Sequence, residues 1–468
     1  MTTPPKTSHS EIIRLSLLLP ISLFFYACFG WQSLLCVLLM SGITWFGGLL
    51  ITRSTHPTIP ATIAILLLLA VWLTQKWNGI FLLGISFYSL QAIGYLLDIR
   101  NREYDAEHNP FRLLLFLSFF PLSIQGPIWR YSEFRQQLTH WQRCSHSDTS
   151  ATASAAYSFT SGGIGRILWG AFKKLVLADR IARMTTILFT DFDTYRSLYV
   201  LLALTAYTIQ LYLDFTGGID MALGIAHCLG FRLPENFDRP FAARSLAEYW
   251  RRWHITLGSW FRDYVFYPLS LSDIWGGKIT LAVWGSTLIT WALTGLWHGL
   301  QPRFLLWGLL NGLILLMAQT LGRARTRMSG RQAVASRIHT SEQLAGGLAM
   351  IRIFLLTSLL RALDCYPDIR TAGGQVLSIF TMPPTFDIFR HGIPGLDTAD
   401  LLLLAVCIGL FLLSRILRRI LSNRVLTEIQ NSQLLYCIGC GLLLLTTLLF
   451  GVYGSGYDAS GFIYGSFI

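Results

Sequence analysis

The sequence predicts an all-α integral membrane protein that crosses the bilayer many times. Of its 468 residues 53% are hydrophobic and only 13% are charged, whereas a soluble domain carries about 25% charged residues. The chain also contains 30 Phe, 18 Tyr and 15 Trp, so too little polar surface remains to cover a water-soluble globule of this size. The apolar runs are long and unbroken, which favours helices and excludes the short alternating strands of an outer-membrane barrel.

The apolar runs predict where the helices lie. A spanning helix needs roughly 20 apolar residues, so about eleven or twelve spans would take up about half of the chain. The first run, Leu15–Phe29, lacks a small-residue cleavage site and is expected to remain as the first span. The later runs, some of them short enough to need flanking residues or a re-entrant course, are Leu34–Leu50, Ala61–Trp72, Ile80–Leu97, Leu198–Leu213, Thr280–Leu296, Leu305–Met317, Ile353–Leu360, Leu401–Leu413 and Leu434–Phe450.

We expect a single integral membrane domain over residues 1–468, because the chain has no evident internal repeat, linker or second composition. Three stretches interrupt the apolar pattern, namely Asn101–Ser154, Gly230–Ser272 and the basic loop Gly322–Glu342. Proline and glycine breaks predict kinked, re-entrant or interfacial helices around an interior site. These breaks fall at Gly126-Pro127, Pro234, Pro240, Pro268 and Pro302.

The net charge of +12 is concentrated in short connections between apolar runs. This distribution is typical of cytoplasmic loops that face anionic lipid headgroups, so we expect membrane lipids rather than nucleic acid as partners. The clusters are Arg323, Arg325, Arg327, Arg331 and Arg337, and then Arg415, Arg418, Arg419 and Arg424. Of the eight cysteines only Cys437 and Cys440 have a suggestive spacing. No His or carboxylate lies near them, so we expect no metal and no bound cofactor.

The segment Trp250–Tyr264 is predicted to form one amphipathic helix at the membrane boundary, with its aromatic face inward. On that helix His254 is the only titratable group of the aromatic face. It is either a neutral histidine hydrogen-bonded in the core or a functional group. The aromatic face holds Trp250, Trp253, His254, Leu257, Trp260 and Phe261, and the polar face holds Glu248, Arg251, Arg252, Thr256, Arg262 and Asp263, with Ile255 as the exception.

A second histidine, His298, is the only ionisable residue between Lys278 and Arg303. Ionisable groups at membrane depth are costly and usually functional, although a histidine that caps the end of a span is the alternative. Gly295 and Gly299 flank it one helical turn apart, so another backbone or a substrate can approach closely. Gln301-Pro302 is expected to end or bend the helix.

Four carboxylates lie near the same region. Asp214 and Asp220 follow a long apolar run, and Glu235 and Asp238 flank Asn236. Each forms a structural ion pair, orients a histidine or shuttles protons. The motifs of phosphate-binding loops, serine hydrolases and zinc peptidases are absent from the sequence.

At these positions the chain resembles the membrane-bound O-acyltransferase family, in particular its alginate O-acetylation branch. The resemblance covers about Gly84 to Gly312 as an ordered series of motifs. They are Gly84-Ile85-Ser86-Phe87-Tyr88, Phe119-Phe120-Pro121, Gly126-Pro127-Ile128 with Arg130-Tyr131, Gly170-Ala171-Phe172-Lys173-Lys174 with Ala178-Asp179, Leu211–Gly217, Gly230–Phe237, Trp250–Tyr264 and Gly295-Leu296-Trp297-His298-Gly299.

The resemblance implies a many-helix bundle that encloses a tunnel or funnel through the cell membrane. An acyl thioester, acetyl-CoA or an acyl carrier protein, would approach from the cytoplasm, and a polysaccharide hydroxyl or a partner acetyltransferase would be met outside. It also implies that His298 is the catalytic base and His254 a second catalytic histidine. We expect substrate contacts from Trp253, Trp297, Arg251, Arg252, Asp214 and Asn236.

Three functions follow as alternatives. The first is acyl transfer, of acetyl above all, to hydroxyls of an exported polysaccharide. The second uses the same histidines for D-alanyl transfer to teichoic acid. The third is a proton-coupled transporter that would use Asp214 and Asp220 as relay groups, although such transporters commonly show paired repeats.

Overall fold

A computed structural model describes residues 9–145, 162–328, 339–383, 392–420 and 432–453. In these ranges the chain is helical and forms no strand, apart from one isolated antiparallel bridge between Phe237 and Trp253. The all-α prediction is therefore confirmed. The main helices are α1 (His9–Cys28), α2 (Trp31–Arg53), α3 (Thr58–Asn78), α4 (Ile85–Arg100), α5 (Pro110–Ser118), α6 (Tyr131–Ser145), α7 (162–190), α8 (Leu198–Cys228), α9 (Leu246–Arg252), α10 (Ile255–Phe261), α11 (Ile279–His298), α12 (Pro302–Met328), α13 (His339–Leu360), α14 (Ile369–Thr381), α15 (Thr398–Ile420) and α16 (Gln433–Phe450).

Shorter helical segments connect several of these helices. The π-helix Phe172–Ala178 lies within α7, and a second π-helix, Arg262–Phe266, continues α10. The others are Phe120–Leu122, Pro240–Ala242, Tyr267–Ser270, Asp273–Trp275 and Ala362–Cys365.

Seven helices of the described residues are long and apolar enough to cross a membrane, which confirms a multi-pass protein. They are Trp31–Arg53, Thr58–Asn78, Leu198–Cys228, Ile279–His298, Pro302–Leu321, Ala345–Cys365 and Gln433–Phe450. Three shorter apolar helices, Ile12–Cys28, Pro110–Leu122 and Thr398–Ser414, account for most of the difference from the eleven or twelve spans expected. The run Ile80–Leu97 contributes α4, which begins only at Ile85 and is buried along almost its whole length.

The described residues pack into two compact units that alternate along the chain. The first unit contains the described residues within 9–145 and 225–343, and the second contains those within 162–224 and 344–453. Helix α8 begins in the second unit and ends in the first. The single domain expected over the whole chain stays a prediction.

In the first unit, small residues let α2, α3 and α4 pack closely. A Cβ placed on Gly47 of α2 would lie 2.8 Å from Ala64 Cβ of α3 and 3.3 Å from Leu96 Cδ2 of α4. The carboxyl-terminal halves of α2 and α4 therefore lie beside the amino-terminal half of α3. These three helices run alternately up and down.

Helices α11 and α12 form a tight hairpin in the same unit. A Cβ on Gly295 would lie 2.2 Å from the carbonyl oxygen of Phe304, and one on Gly308 would lie 2.1 Å from that of Trp291. The close backbone approach predicted at Gly295 is confirmed. Helix α11 ends at His298 and α12 begins at Pro302, so the predicted break is confirmed as well.

In the second unit, α7 and α8 are held together by a buried ion-pair network. The Nζ atom of Lys174 lies 2.6 Å from Asp214 and 2.8 Å from Asp179, and the side chains of Lys174 and Asp214 are almost fully buried. The helices approach closely here, because a Cβ on Gly170 would lie 2.5 Å from the carbonyl oxygen of Gly217.

A second part of this network surrounds Asp220. Lys173 Nζ lies 2.6 Å from Asp220, and Arg166 Nη2 lies 2.9 Å from it. Together with Lys174, Asp179 and Asp214 these side chains balance three positive against three negative charges. Of the alternatives open for Asp214 and Asp220, the structure shows the ion pair.

Candidate active site

The amphipathic helix predicted over Trp250–Tyr264 is interrupted, so this prediction was wrong. Helix α9 ends at Arg252, and Trp253 is extended with φ −110° and ψ 126°. His254 then adopts the left-handed conformation, with φ 48° and ψ 55°, before α10 begins at Ile255. A positive φ is uncommon for a residue other than glycine and persists only where surrounding contacts fix it.

Contacts with a distant segment cause this interruption. Trp253 and Phe237 form the isolated β-bridge. On its two sides, the Asp238 amide donates to the carbonyl oxygen of Arg252 at 3.0 Å, and the Ile255 amide donates to that of Asn236 at 3.0 Å. The 3.6-residue period reflects only contacts between residues that are close in sequence. Here hydrogen bonds to a distant segment hold Trp253 and His254 in non-helical conformations instead.

The interruption also reverses the position of Thr256, which the continuous helix placed on the polar face. Thr256 is buried. Its hydroxyl donates to Asn236 Oδ1 at 2.9 Å and accepts from the Ile128 amide at 3.0 Å. The start of α10 is therefore tied to two separate segments of the first unit.

Asn236 organises the surroundings of His254. Its Oδ1 accepts from the Thr256 amide at 3.0 Å and lies 3.3 Å from His254 Nδ1. Because the Thr256 amide can only donate, the oxygen of the Asn236 side chain must face this cluster. Nδ1 of His254 accordingly carries its proton and donates, whereas Nε2 keeps its lone pair. Burial lowers the pKa of His254 well below its usual value, so the ring is neutral at pH 7.

His298 is the last residue of α11 and is half-buried. Its ring centroid lies 4.9 Å from Trp297 and 5.2 Å from Trp307, both edge-on. The Trp297 ring also lies 6.1 Å from the ring of His254. One buried indole thus contacts both predicted histidines, and its Nε1 donates to the carbonyl oxygen of Ser86 at 3.2 Å.

A tryptophan cluster fixes α9 to the α11–α12 hairpin. The Trp250 ring lies 4.9 Å from Trp291 and 5.7 Å from Trp307. Since Trp307 also contacts His298, this cluster links the segment that carries His254 to the end of α11.

The family model for "MBOAT, membrane-bound O-acyltransferase family" matches residues 100–341, which is just over half of the chain. The chain belongs to the membrane-bound O-acyltransferase family. The match includes both histidines, Asn236 and the tryptophan cluster, and it ends within the basic loop Gly322–Glu342.

Several curated proteins are similar over about half of the chain. The probable alginate O-acetylase AlgI of Pseudomonas aeruginosa is 35% identical over 245 residues, which are 51% of this chain and 43% of that protein. The peptidoglycan O-acetyltransferase of Helicobacter pylori is 31% identical over 260 residues, or 50% of this chain and 46% of that protein. The teichoic acid D-alanyltransferase of Bacillus subtilis is 28% identical over 243 residues, 51% of this chain and 59% of that protein. The match with the alginate relatives thus spans less than half of their length.

In this member of the membrane-bound O-acyltransferase family the predicted site residues fall in different places. His254, His298, Trp297 and Asn236 lie close together in the first unit. Asp214 lies in the second unit, paired with Lys174. Their catalytic and substrate-binding roles stay predictions.

Three further predicted residues lie on or next to α9. Trp253 is almost fully buried, stacked on Tyr249 at 5.6 Å. Arg252 pairs with Glu248 at 2.7 Å, whereas Arg251 is exposed. Trp253 is therefore a packing residue in this structure, and Arg251 is the arginine available to an anionic group.

Sequence reasoning missed Lys76 and Ser86, which both contact the residues around His298. Lys76 Nζ donates to the carbonyl oxygens of Trp297 and His298, and Ser86 accepts from the Trp297 indole. A signal for Lys76 was present, because it is the only formally charged residue between Arg53 and Asp98. An ionisable residue within apolar sequence is costly in a membrane and usually functional, and this holds for Lys76 as it does for His298.

Proposed function

We propose that the chain transfers an acetyl group from a thioester donor, acetyl-CoA or an acyl carrier protein, to hydroxyls of an exported cell-surface polysaccharide. A partner acetyltransferase outside the cell membrane is the alternative immediate acceptor. The observation that carries the proposal is the placement of two imidazoles, His254 and His298, against one buried indole, Trp297, in a chain of this family. Acetyl is favoured because O-acetyl-transferring relatives have the higher identities.

His298 is proposed as the general base. Its neutral imidazole accepts the hydroxyl proton while the oxygen attacks the thioester carbonyl carbon. The new C–O bond forms, the C–S bond breaks, and the proton passes from the imidazolium to the departing sulfur. General-base assistance of this kind contributes about 10²–10⁴-fold to the rate.

His254 is proposed to orient the attacking hydroxyl. A second histidine can polarise a carbonyl group only as a hydrogen-bond donor, and it can hold a hydroxyl proton only as an acceptor. Because Nδ1–H of His254 is directed at Asn236, Nε2 is the acceptor. That tautomer supports the orienting role over polarisation of the thioester.

The helix directions support access from outside the cell for the acceptor. Arg53 ends α2 and Arg100 ends α4, so the positive-inside bias assigns these ends to the cytoplasm. Lys76 lies at the opposite end of α3, and its ammonium contacts the His298 carbonyl oxygen at 3.2 Å. On this basis His298 lies towards the extracytoplasmic end of the helices, and the acyl group must be delivered to it from the cytoplasmic ends.

The test is the acyl ester content of the surface polysaccharide, measured by mild alkaline release and mass spectrometry. We expect His298→Ala to lose the ester at unchanged protein level, because no base remains to accept the hydroxyl proton. His56→Ala, which changes an exposed histidine next to α3, is the matched control and should keep the wild-type level. Wild-type ester content in His298→Ala would contradict the proposal.

The released acid separates the remaining alternatives. Acetate supports the proposal, whereas D-alanine would transfer the assignment to the second candidate, which relatives named teichoic acid D-alanyltransferase favour. A proton relay through Asp214 and Asp220 is disfavoured, because lysine ammonium groups lie 2.6 Å from both carboxylates.

A further inference from the structure

The carboxyl-terminal end of α11 lies directly beside the proposed reaction site. The last carbonyl groups of any helix have no partner within the helix, and in a membrane water does not readily supply one. Here the Gly299 amide donates to the carbonyl oxygen of Gly295 at 3.2 Å. The carbonyl oxygens of Trp297 and His298 accept from a side chain of another helix.

That side chain is Lys76, from the last turn of α3. Its Nζ lies 2.8 Å from the carbonyl oxygen of Trp297 and 3.2 Å from that of His298. The carboxyl terminus of a helix carries a partial negative charge of roughly half an elementary charge, which favours a cation there. The ammonium of Lys76 lies at the ends of two helices at once, its own α3 and α11.

The side chains around Lys76 also hold Trp297. The Lys76 ammonium lies 5.5 Å from the centroid of the Trp72 ring, and Trp72 Nε1 donates to Ser86 Oγ at 3.3 Å. The carbonyl oxygen of the same Ser86 accepts from Trp297 Nε1. The backbone of residues 297 and 298 and the indole between the histidines are therefore fixed from one side by α3 and the start of α4.

Beyond His298, Gly299 packs against the Phe304 ring, and helix α12 begins at Pro302. These contacts hold the hairpin together, but they do not supply partners for the carbonyl oxygens of Trp297 and His298. Without the contact from Lys76, the last turn of α11 would lose two charge-assisted hydrogen bonds at the residue that must meet the hydroxyl. A displacement of about 1 Å at such a group can lower a rate by 10²-fold.

We propose that Lys76 is a positioning residue, which holds the end of α11 so that His298 meets the acceptor hydroxyl in a fixed orientation. The consequence for the reaction rests on the proposed function, whereas the consequence for the helix end does not. Lys76 acts through the backbone of Trp297 and His298 and contacts no reacting atom in the proposed reaction.

The experiment compares wild type, Lys76→Met, Lys76→Arg and Lys278→Met in the full chain. Lys278→Met is the matched control, since it removes an exposed lysine at the start of α11, the helix that ends at His298. The first measurement is hydrogen–deuterium exchange of peptides that cover residues 295–300. We expect exchange to be about tenfold faster in Lys76→Met. The free energy of a hydrogen bond to a charged group corresponds to a factor of about ten in the equilibrium for local opening of the helix end. Lys76→Arg should restore most of the protection, and Lys278→Met should change nothing.

The second measurement is steady-state acyl transfer. We expect kcat of Lys76→Met to fall by about tenfold to a hundredfold with KM unchanged, and Lys76→Arg to recover part of it. If Lys76→Met does not accumulate in the membrane, Lys76→Leu, which likewise has no hydrogen-bond donor, replaces it under the same criteria. Unchanged exchange at residues 295–300, or an equal effect of Lys278→Met, would overturn the inference. Absence of acyl transfer in wild type would instead refute the proposed function and leave the exchange result valid.

Discussion

Replacement of Asn236 by leucine tests the hydrogen-bond cluster that holds His254. The substitution keeps the approximate shape of the side chain and removes the oxygen that accepts from the Thr256 amide, the Thr256 hydroxyl and His254 Nδ1. The Thr256 hydroxyl can rotate about its C–O bond, whereas the directions of the Thr256 amide and of His254 Nδ1–H are fixed and both groups stay buried. Each buried donor left without an acceptor costs about 1–3 kcal/mol. The two together predict a loss of about 2–6 kcal/mol in the free energy of unfolding.

The assay is thermal or denaturant unfolding of the purified protein in detergent, combined with the acyl-transfer rate. Asn101→Leu is the control, because Asn101 is exposed at the end of α4. We expect Asn236→Leu to be destabilised and to lose activity, and Asn101→Leu to match wild type. An Asn236→Leu protein as stable as wild type would show that the cluster does not fix His254, and the tautomer inferred from it would lose its basis.

Two further outcomes follow from the same region. Arg251→Gln should raise KM for the donor more than Arg252→Gln does, because Arg251 is exposed whereas Arg252 forms an ion pair with Glu248 at 2.7 Å. Equal KM values for wild type and Arg251→Gln would limit Arg251 to a structural role. Stability should fall as the pH drops below about 6.5, the pKa of an unfolded histidine, because the folded state lowers the pKa of His254 and the unfolded state then binds more protons. Unfolding midpoints between pH 7 and 5 check this, and His254→Gln should flatten the dependence by up to about 1.4 kcal/mol per pH unit.

The helices and their close contacts were predictable because they depend on local sequence. Long apolar runs must become helices where they meet lipid, and the structure places α2, α3, α11 and α16 on four of them. Glycines at helical spacing indicated a close approach at Gly295, which the contact with Phe304 confirms. These features require no knowledge of distant parts of the chain.

The interruption at His254 was not predictable in the same way. Its cause is the pairing of Trp253 with Phe237. Neither proline nor glycine stands at the point of interruption, so the local sequence carries no signal of it. A period of 3.6 residues fitted the apolar positions well, yet the tertiary hydrogen bonds were stronger than the local preference. The positive φ of His254 is the backbone strain that results, because the surrounding contacts fix the residue in a sparsely populated conformation.

Ionisable residues within apolar sequence show the same limit. Because such groups are costly in a membrane, the sequence alone marks Asp214, Lys76 and His298 as candidates for a structural or functional role. The purpose depends on the partner, which the sequence does not specify: Asp214 lies 2.6 Å from Lys174 and forms part of a balanced ion-pair network, whereas Lys76 contacts two helix-end carbonyl groups. A charge that meets an opposite charge on a neighbouring helix holds two helices together. A charge that meets the end of the helix carrying His298 instead fixes the position of one imidazole, and for that reason substitution of Lys76 should affect kcat rather than KM.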